Sequence, residues 1–159
     1  MTDRRLFLAL LGGTALTTAL PAAAATEAAV PMEVLAAPGC GCCHAWADLA
    51  RAEGYAVTVG ELADPAAQKA ALGVPDALHS CHTVRAGGYV FEGHVPFAAV
   101  AAVLRDRPAI AGLAVPGMPM GSPGMGDDPS ARFDVFAFGG DAGAGRVFFR
   151  AGTPDPFAG

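Results

Sequence analysis

Cys40, Cys42 and Cys43 gather three of the chain's four cysteines into four residues, as Cys-Gly-Cys-Cys. They follow a short apolar segment, Met32 to Leu35, and open a helical pattern. A helix N-terminus lowers the pKa of a thiol, and the thiolate is the form that attacks disulfides and binds soft metals. Adjacent Cys42 and Cys43 can hardly pair with each other, so at least one of the three needs another partner. Cys40 and Cys43 have the C-x-x-C spacing of dithiol redox chemistry, which makes them the candidate catalytic pair. Cys42 inside such a pair would invite scrambled disulfides. It makes sense if several thiolates share soft metal ions. Cys81 is the fourth sulfur. The plain alternative, for an exported chain, is two structural disulfides.

A second group of soft donors lies far along the chain. Met118, Met120 and Met125 fall in a stretch rich in Gly and Pro that has neither helical nor strand period. Thioethers and thiolates together select Cu(I). Methionines also fill gaps in cores, a reading weakened by the absence of apolar periodicity here. Among the four histidines, His94 is the strongest candidate ligand, at the end of a strand just before Val95-Pro96. His82 ranks below it. A strand of period two would put His79 and Cys81 on one face and His82 on the other. His44 should point along the helix surface.

Other chemistries find little support. Asp48, Glu53 and Asp64 are isolated carboxylates on expected exposed faces, so a paired-carboxylate hydrolase is not indicated. Ser80 and Ser122 lack a nucleophile elbow, and Gly117 to Gly126 lacks the lysine of a phosphate loop. The formal net charge is −5, and no basic patch invites nucleic acid.

The elements that must position these donors are readable in outline. Residues 1–25 have the form of a signal peptide, with Arg4-Arg5, an apolar run from Leu6 to Leu20, and Ala23-x-Ala25 before Thr26. Asp3 to Leu8 also fits a twin-arginine signal. Either route predicts export, with no membrane span in the mature chain. Met32–Leu35 reads as a strand, Cys43–Glu53 as a helix with Trp46, Leu49 and Ala50 on one face, and Tyr55–Val59 as a second strand. Asp64-Pro65 opens a short helix that Gly73 stops. Leu78–Val84 reads as a third strand, Ala86-Gly87-Gly88 as a hairpin turn, and Tyr89–His94 as a fourth strand. Pro96–Asp106 reads as a helix. Residues 108–129 should be an extended loop, followed by a hairpin of Phe133–Phe138 and Arg146–Arg150.

This order, with a C-x-x-C between strand and helix and Gly73-Val74-Pro75 ahead of the third strand, resembles a thioredoxin-like α/β fold. Residues 26–107 would form that domain. Residues 108–159 would be a C-terminal Gly/Pro/Met-rich extension and β-hairpin that contributes to a metal site. Pro38-Gly39-Cys40-Gly41-Cys42-Cys43-His44-Ala45-Trp46, Ser80-Cys81-His82-Thr83, Glu92-Gly93-His94-Val95-Pro96 and Pro116-Gly117-Met118-Pro119 through Gly124-Met125 follow in turn. Together they closely resemble the periplasmic CopG-type copper-resistance proteins of Gram-negative bacteria. The resemblance spans about Met32 to Phe138. It implies a periplasmic protein in which several copper ions are bridged by cysteine sulfur, with Cu(I)/Cu(II) interconversion ahead of efflux. Carried onto this chain, it implies Cys40, Cys42 and Cys43 as central ligands, with Cys81, His94, Met118 and Met125 around them. Copper ions, and copper efflux or carrier proteins, are the implied partners. The chain departs from the family pattern after Met125, where Gly126 replaces an expected Glu. Two other readings stay open: a thiol–disulfide oxidoreductase using Cys40 and Cys43, and a store or carrier of copper without turnover.

Overall fold

β1 (Pro31–Ala36) buries Met32, Val34 and Ala36 and turns their neighbours outward, the alternation of a strand with one covered face. The computed structural model describes residues 28–152; the expected signal peptide, residues 1–25, lies outside the described residues. Gly39, with φ of +70°, makes the turn after β1, and α1 (Gly41–Ala52) starts at once with Cys40 as its N-cap. α1 buries Cys43, Trp46, Ala47 and Ala50. Leu49, expected on that face, is 43% exposed. The buried stripe is therefore rotated from the expected one, with Cys43 and Ala47 facing inward in place of Leu49.

β2 (Ala56–Glu61) returns parallel to β1. α2 (Pro65–Ala71) is capped as its sequence dictates: Asp64 accepts from the Ala67 amide at 3.1 Å, and Pro65 occupies the first turn. β3 (His82–Ala86) and β4 (Tyr89–Glu92) form a hairpin about Gly87 and Gly88, both at positive φ. α3 (Phe97–Asp106) follows, then β5 (Gly112–Ala114), β6 (Phe133–Phe138) and β7 (Arg146–Ala151). All seven strands form one sheet in the order β2-β1-β3-β4-β5-β6-β7. The fold is mixed α/β, and the β2-β1-β3-β4 portion, with β1 and β2 parallel and β3 antiparallel to β1, is compatible with the thioredoxin-like expectation.

Three expectations change. The third strand begins at His82, not Leu78. Asp76–Leu78 is a 3-10 turn, and residues 79–81 are irregular. The register explains why: His82 pairs with Ala36, the last residue of β1, so nothing remains to pair with residues 79–81. The fourth strand stops at Glu92 because Gly93 adopts φ of +71°. The long loop contains β5, whose three residues are all buried and pair with both β4 and β6. Val74-Pro75 is trans, as is every peptide bond among the described residues.

The core on the helical side joins Trp46, Met32, Val34, Phe91, Val100, Val103 and Leu113. Trp46 is fully buried, stacks against Phe97 with ring centroids 4.9 Å apart, and donates its indole N–H to the Val95 carbonyl at 3.1 Å. No helix among the described residues is long and apolar enough to cross a membrane. The register aligns the end of β1, the start of β3, the end of β4 and the end of β5 along one edge of the sheet.

Candidate metal centre

Four segments meet at that edge. The break after β1 supplies Cys40, Cys42 and Cys43. The irregular turn before β3 supplies Cys81, with His82 as the first strand residue. The turn after β4 supplies His94, and the loop after β5 lies across them.

Cys42 Sγ lies 3.5 Å from Cys40 Sγ and 3.8 Å from Cys81 Sγ. Cys40 and Cys43 are joined in a disulfide, with Cα atoms 5.4 Å apart, leaving Cys42 and Cys81 as free thiols. Cys43 Sγ is 3.5 Å from the Cys81 carbonyl oxygen. Cys40, Cys42, Cys43 and Cys81 place their sulfurs within 4.8 Å of one another. Cys81 also belongs to a second group with His82 and His94. Its Sγ is 3.1 Å from His94 Nε2 and 3.4 Å from His82 Nδ1.

The histidines are set by their surroundings. His94 Nδ1 lies 2.7 Å from the Pro123 carbonyl oxygen. A carbonyl only accepts, so Nδ1 carries the proton and Nε2 offers its lone pair toward Cys81. His82 is fully buried between Trp46, at 5.3 Å, and His94, at 4.9 Å edge-on. Its Nε2 has no hydrogen-bond partner. Burial, then the neighbouring His94 and Lys69, push its pKa down to about 3. Burial also lowers His94, against the opposing pull of the Pro123 carbonyl. Both rings are therefore neutral near pH 7, the ligand form of imidazole. Burial, and then Cys42, push the Cys81 thiol up to about 12, so without a metal it stays protonated.

This donor set fits a soft or borderline metal. Two free thiols and two neutral imidazoles converge, with two more sulfurs available when the Cys40–Cys43 pair is reduced, and the orphaned buried nitrogen of His82 is a polar atom that a ligand would satisfy. No carboxylate belongs to either group.

The sequence-expected donors divide. Cys40, Cys42, Cys43, Cys81 and His94 come together. His82 joins them, against the expectation that it faces away from Cys81. The period-two argument fails because Cys81 lies outside the strand. His44 is exposed and His79 sits beside the Val74 carbonyl, 3.3 Å away. The methionine loop does reach the centre through its backbone. Gly124 packs so tightly on α1 that a Cβ there would meet the Cys42 carbonyl and the Trp46 amide at 2.9 Å. Met125 is half-buried, whereas Met118 is 54% and Met120 59% exposed.

Sequence reasoning passed over Lys69 and Glu92, a buried ion pair behind the Cys81 turn. A carboxylate two residues before His94, in Glu-Gly-His, was the available signal. Lys69 had none, as one lysine in an alanine-rich helix.

Comparison with known proteins adds three findings. Residues 78–125 match a family described as a protein of unknown function, DUF411. Two solved structures described as copper resistance protein copG resemble the chain. Form 1 is 36% identical, covers 79% of this chain and 99% of its own, and superposes with a TM-score of 0.72. Form 2 is 37% identical, covers 77% and 98%, and gives 0.70. No curated protein matches.

Proposed function

The chain belongs to the family of CopG-type copper resistance proteins, and from that premise we propose that it binds copper as its cargo and cycles it between Cu(I) and Cu(II). One observation carries the reading. Cys42 and Cys81, from segments 39 residues apart, bring their sulfurs to 3.8 Å, and Cys81 faces a His94 lone pair at 3.1 Å. Stability alone gives no reason to crowd two free thiols against a neutral imidazole. The ligands we assign are Cys40, Cys42, Cys43, Cys81 and His94, with Met118 and Met125 from the loop, and His82 in addition. Several ions bridged by sulfur suit a set in which Cys81 belongs to two donor groups.

Cys40 and Cys43 are the redox pair of this proposal. As thiolates they surrender two electrons in forming their S–S bond, and two Cu(II) ions accept one each to become Cu(I). The remaining thiolates, thioethers and imidazoles are then the soft donors that suit the product. Export to the periplasm behind residues 1–25, a unit of residues 26–107 with residues 108–159 completing the site, and exchange with efflux or carrier proteins belong to the same proposal.

The test is metal analysis of reduced protein loaded anaerobically with Cu(I). Native protein should hold more than one copper per chain, and Cys42→Ser should lose at least one. Equal copper content in both, or uptake of zinc alone, overturns the reading.

The Cys40–Cys43 disulfide favours a second reading, thiol–disulfide exchange without metal. That reading expects full disulfide reductase activity in copper-free protein, unchanged by Cys42→Ser or by replacement of the loop methionines.

A further inference from the structure

Lys69 and Glu92 are 2% and 0% exposed, yet neither belongs to the donor set. A buried ion pair seldom exists for stability, because well-packed apolar side chains of similar volume often do as well or better. What distinguishes this pair is what else the carboxylate holds. Glu92 Oε1 accepts from Lys69 Nζ and from the backbone N–H of Ser80, the latter at 2.6 Å. Its Oε2 accepts from the Thr83 hydroxyl at 2.6 Å, and that hydroxyl in turn accepts from Lys69 at 2.9 Å.

Ser80 immediately precedes Cys81, in the stretch that has no ladder partner. Its amide is anchored by the Glu92 side chain, not by a neighbouring strand. Its hydroxyl donates to the Gly117 carbonyl, and the Gly117 amide donates to the His79 carbonyl at 3.3 Å. Gly93, between Glu92 and His94, permits the close approach: a Cβ there would strike the Ser80 side chain and the Val115 carbonyl. The Cys81 turn, the His94 turn and the start of the methionine loop are thus tied together at Ser80.

We infer that Glu92, paired with Lys69, is a positioning residue for the metal centre: by gripping the Ser80 amide it sets Cys81 Sγ against His94 and docks the loop that carries Met118. This rests on the metal-centre reading above. Groups that orient a ligand from behind typically contribute tenfold to a hundredfold in metal affinity.

The test uses the double variant Lys69→Met/Glu92→Leu, which removes both charges together, and Glu92→Gln, which keeps an acceptor oxygen for Ser80. Three quantities are measured: melting of the metal-free protein, hydrogen exchange at the Ser80 amide, and anaerobic Cu(I) affinity by competition with a chromophoric chelator. The double variant should melt cooperatively, exchange the Ser80 amide at least tenfold faster, and bind Cu(I) about tenfold to a hundredfold more weakly. Glu92→Gln should recover most of the affinity. A folded double variant with native affinity, or with a Ser80 amide still protected, overturns the inference. If the double variant does not fold, Ser80→Pro serves instead. It deletes the same N–H, and His79 already has the extended backbone, φ −61° and ψ 144°, that a following proline requires. Native affinity in that variant is equally fatal. Failure of the native protein to take up Cu(I) would sink the metal-centre reading itself, while the Ser80 exchange rates would still report on the anchor.

Discussion

His82 poses the sharpest question at the scale of single residues. It is fully buried, its Nε2 has no partner, and its pKa is driven down to about 3, chiefly by burial. An unsatisfied buried polar group costs roughly 1–3 kcal/mol. A side chain kept only for packing would not carry that cost. We therefore expect His82→Leu, close in volume, to leave the melting temperature of the metal-free protein unchanged or raised, while Cu(I) affinity falls at least tenfold. Paired thermal melts and chelator competition check both halves. A metal-free variant that melts well below native would mean that the ring is needed for packing, and a retained affinity would remove it from the ligand set. The same logic separates Cys42 from Cys43. Cys43 is buried and tied to Cys40, whereas Cys42 is half-buried and free, so it has a sulfur to offer in either redox state of the pair.

At the scale of elements, the site is built where strands end, and strand ends were the least legible part of the sequence. α2 could be read from Asp64, Pro65 and Gly73 because capping is local chemistry. α1 and the cysteine turn were legible because Pro38-Gly39 breaks the strand visibly. The third strand, expected over Leu78–Val84, starts four residues later, at His82, because its limit is set by Ala36, where its partner stops, and no local signal marks that point. β5 left no period in three residues and exists because β4 and β6 flank it. The sulfur donors and His94 were visible by type. The Lys69–Glu92 pair was not, since it joins residues 23 apart with no local pattern. One consequence belongs to the loop and α1 together. Gly124 has φ of +85° and no room for a Cβ against the backbone of Cys42 and Trp46. Gly124→Ala must lift the loop from the helix or strain both. We expect a loss of about 1–3 kcal/mol of stability, together with weaker copper binding, because Pro123 would no longer fix the His94 tautomer. Denaturant unfolding and metal titration measure the two effects, and a native value in both would show the loop to be undocked in solution.

At the scale of the whole molecule, every strand among the described residues lies in one sheet, and the boundary between residues 107 and 108 runs through it. β5 covers the outer edge of β4, Leu113 pairs with Phe91, and Leu113, Val135 and Ala137 complete the core that also holds Trp46. Val115 continues the β5 pairing through the Glu92 carbonyl at 2.9 Å, directly behind the candidate metal centre. A chain cut after Arg107 would therefore expose the face of Phe91 and leave β4 as an open edge, a template for association with other chains. It would also lose the Pro123 carbonyl that sets His94 and the Gly117 carbonyl that holds Ser80. We expect the truncated protein to lack a cooperative thermal transition and to elute as aggregate, where the full chain melts in a single step. Size-exclusion chromatography and calorimetry decide the matter. If the truncated chain stayed monomeric and melted cooperatively, the extension would be an appended arm. Copper titration of that fragment would then read the donor set of the N-terminal unit alone, four cysteines with His82 and His94, against the full site. If it does not fold, the methionine segment and the hairpin are as much part of the scaffold as α1, and the cargo site and the core stand or fall together.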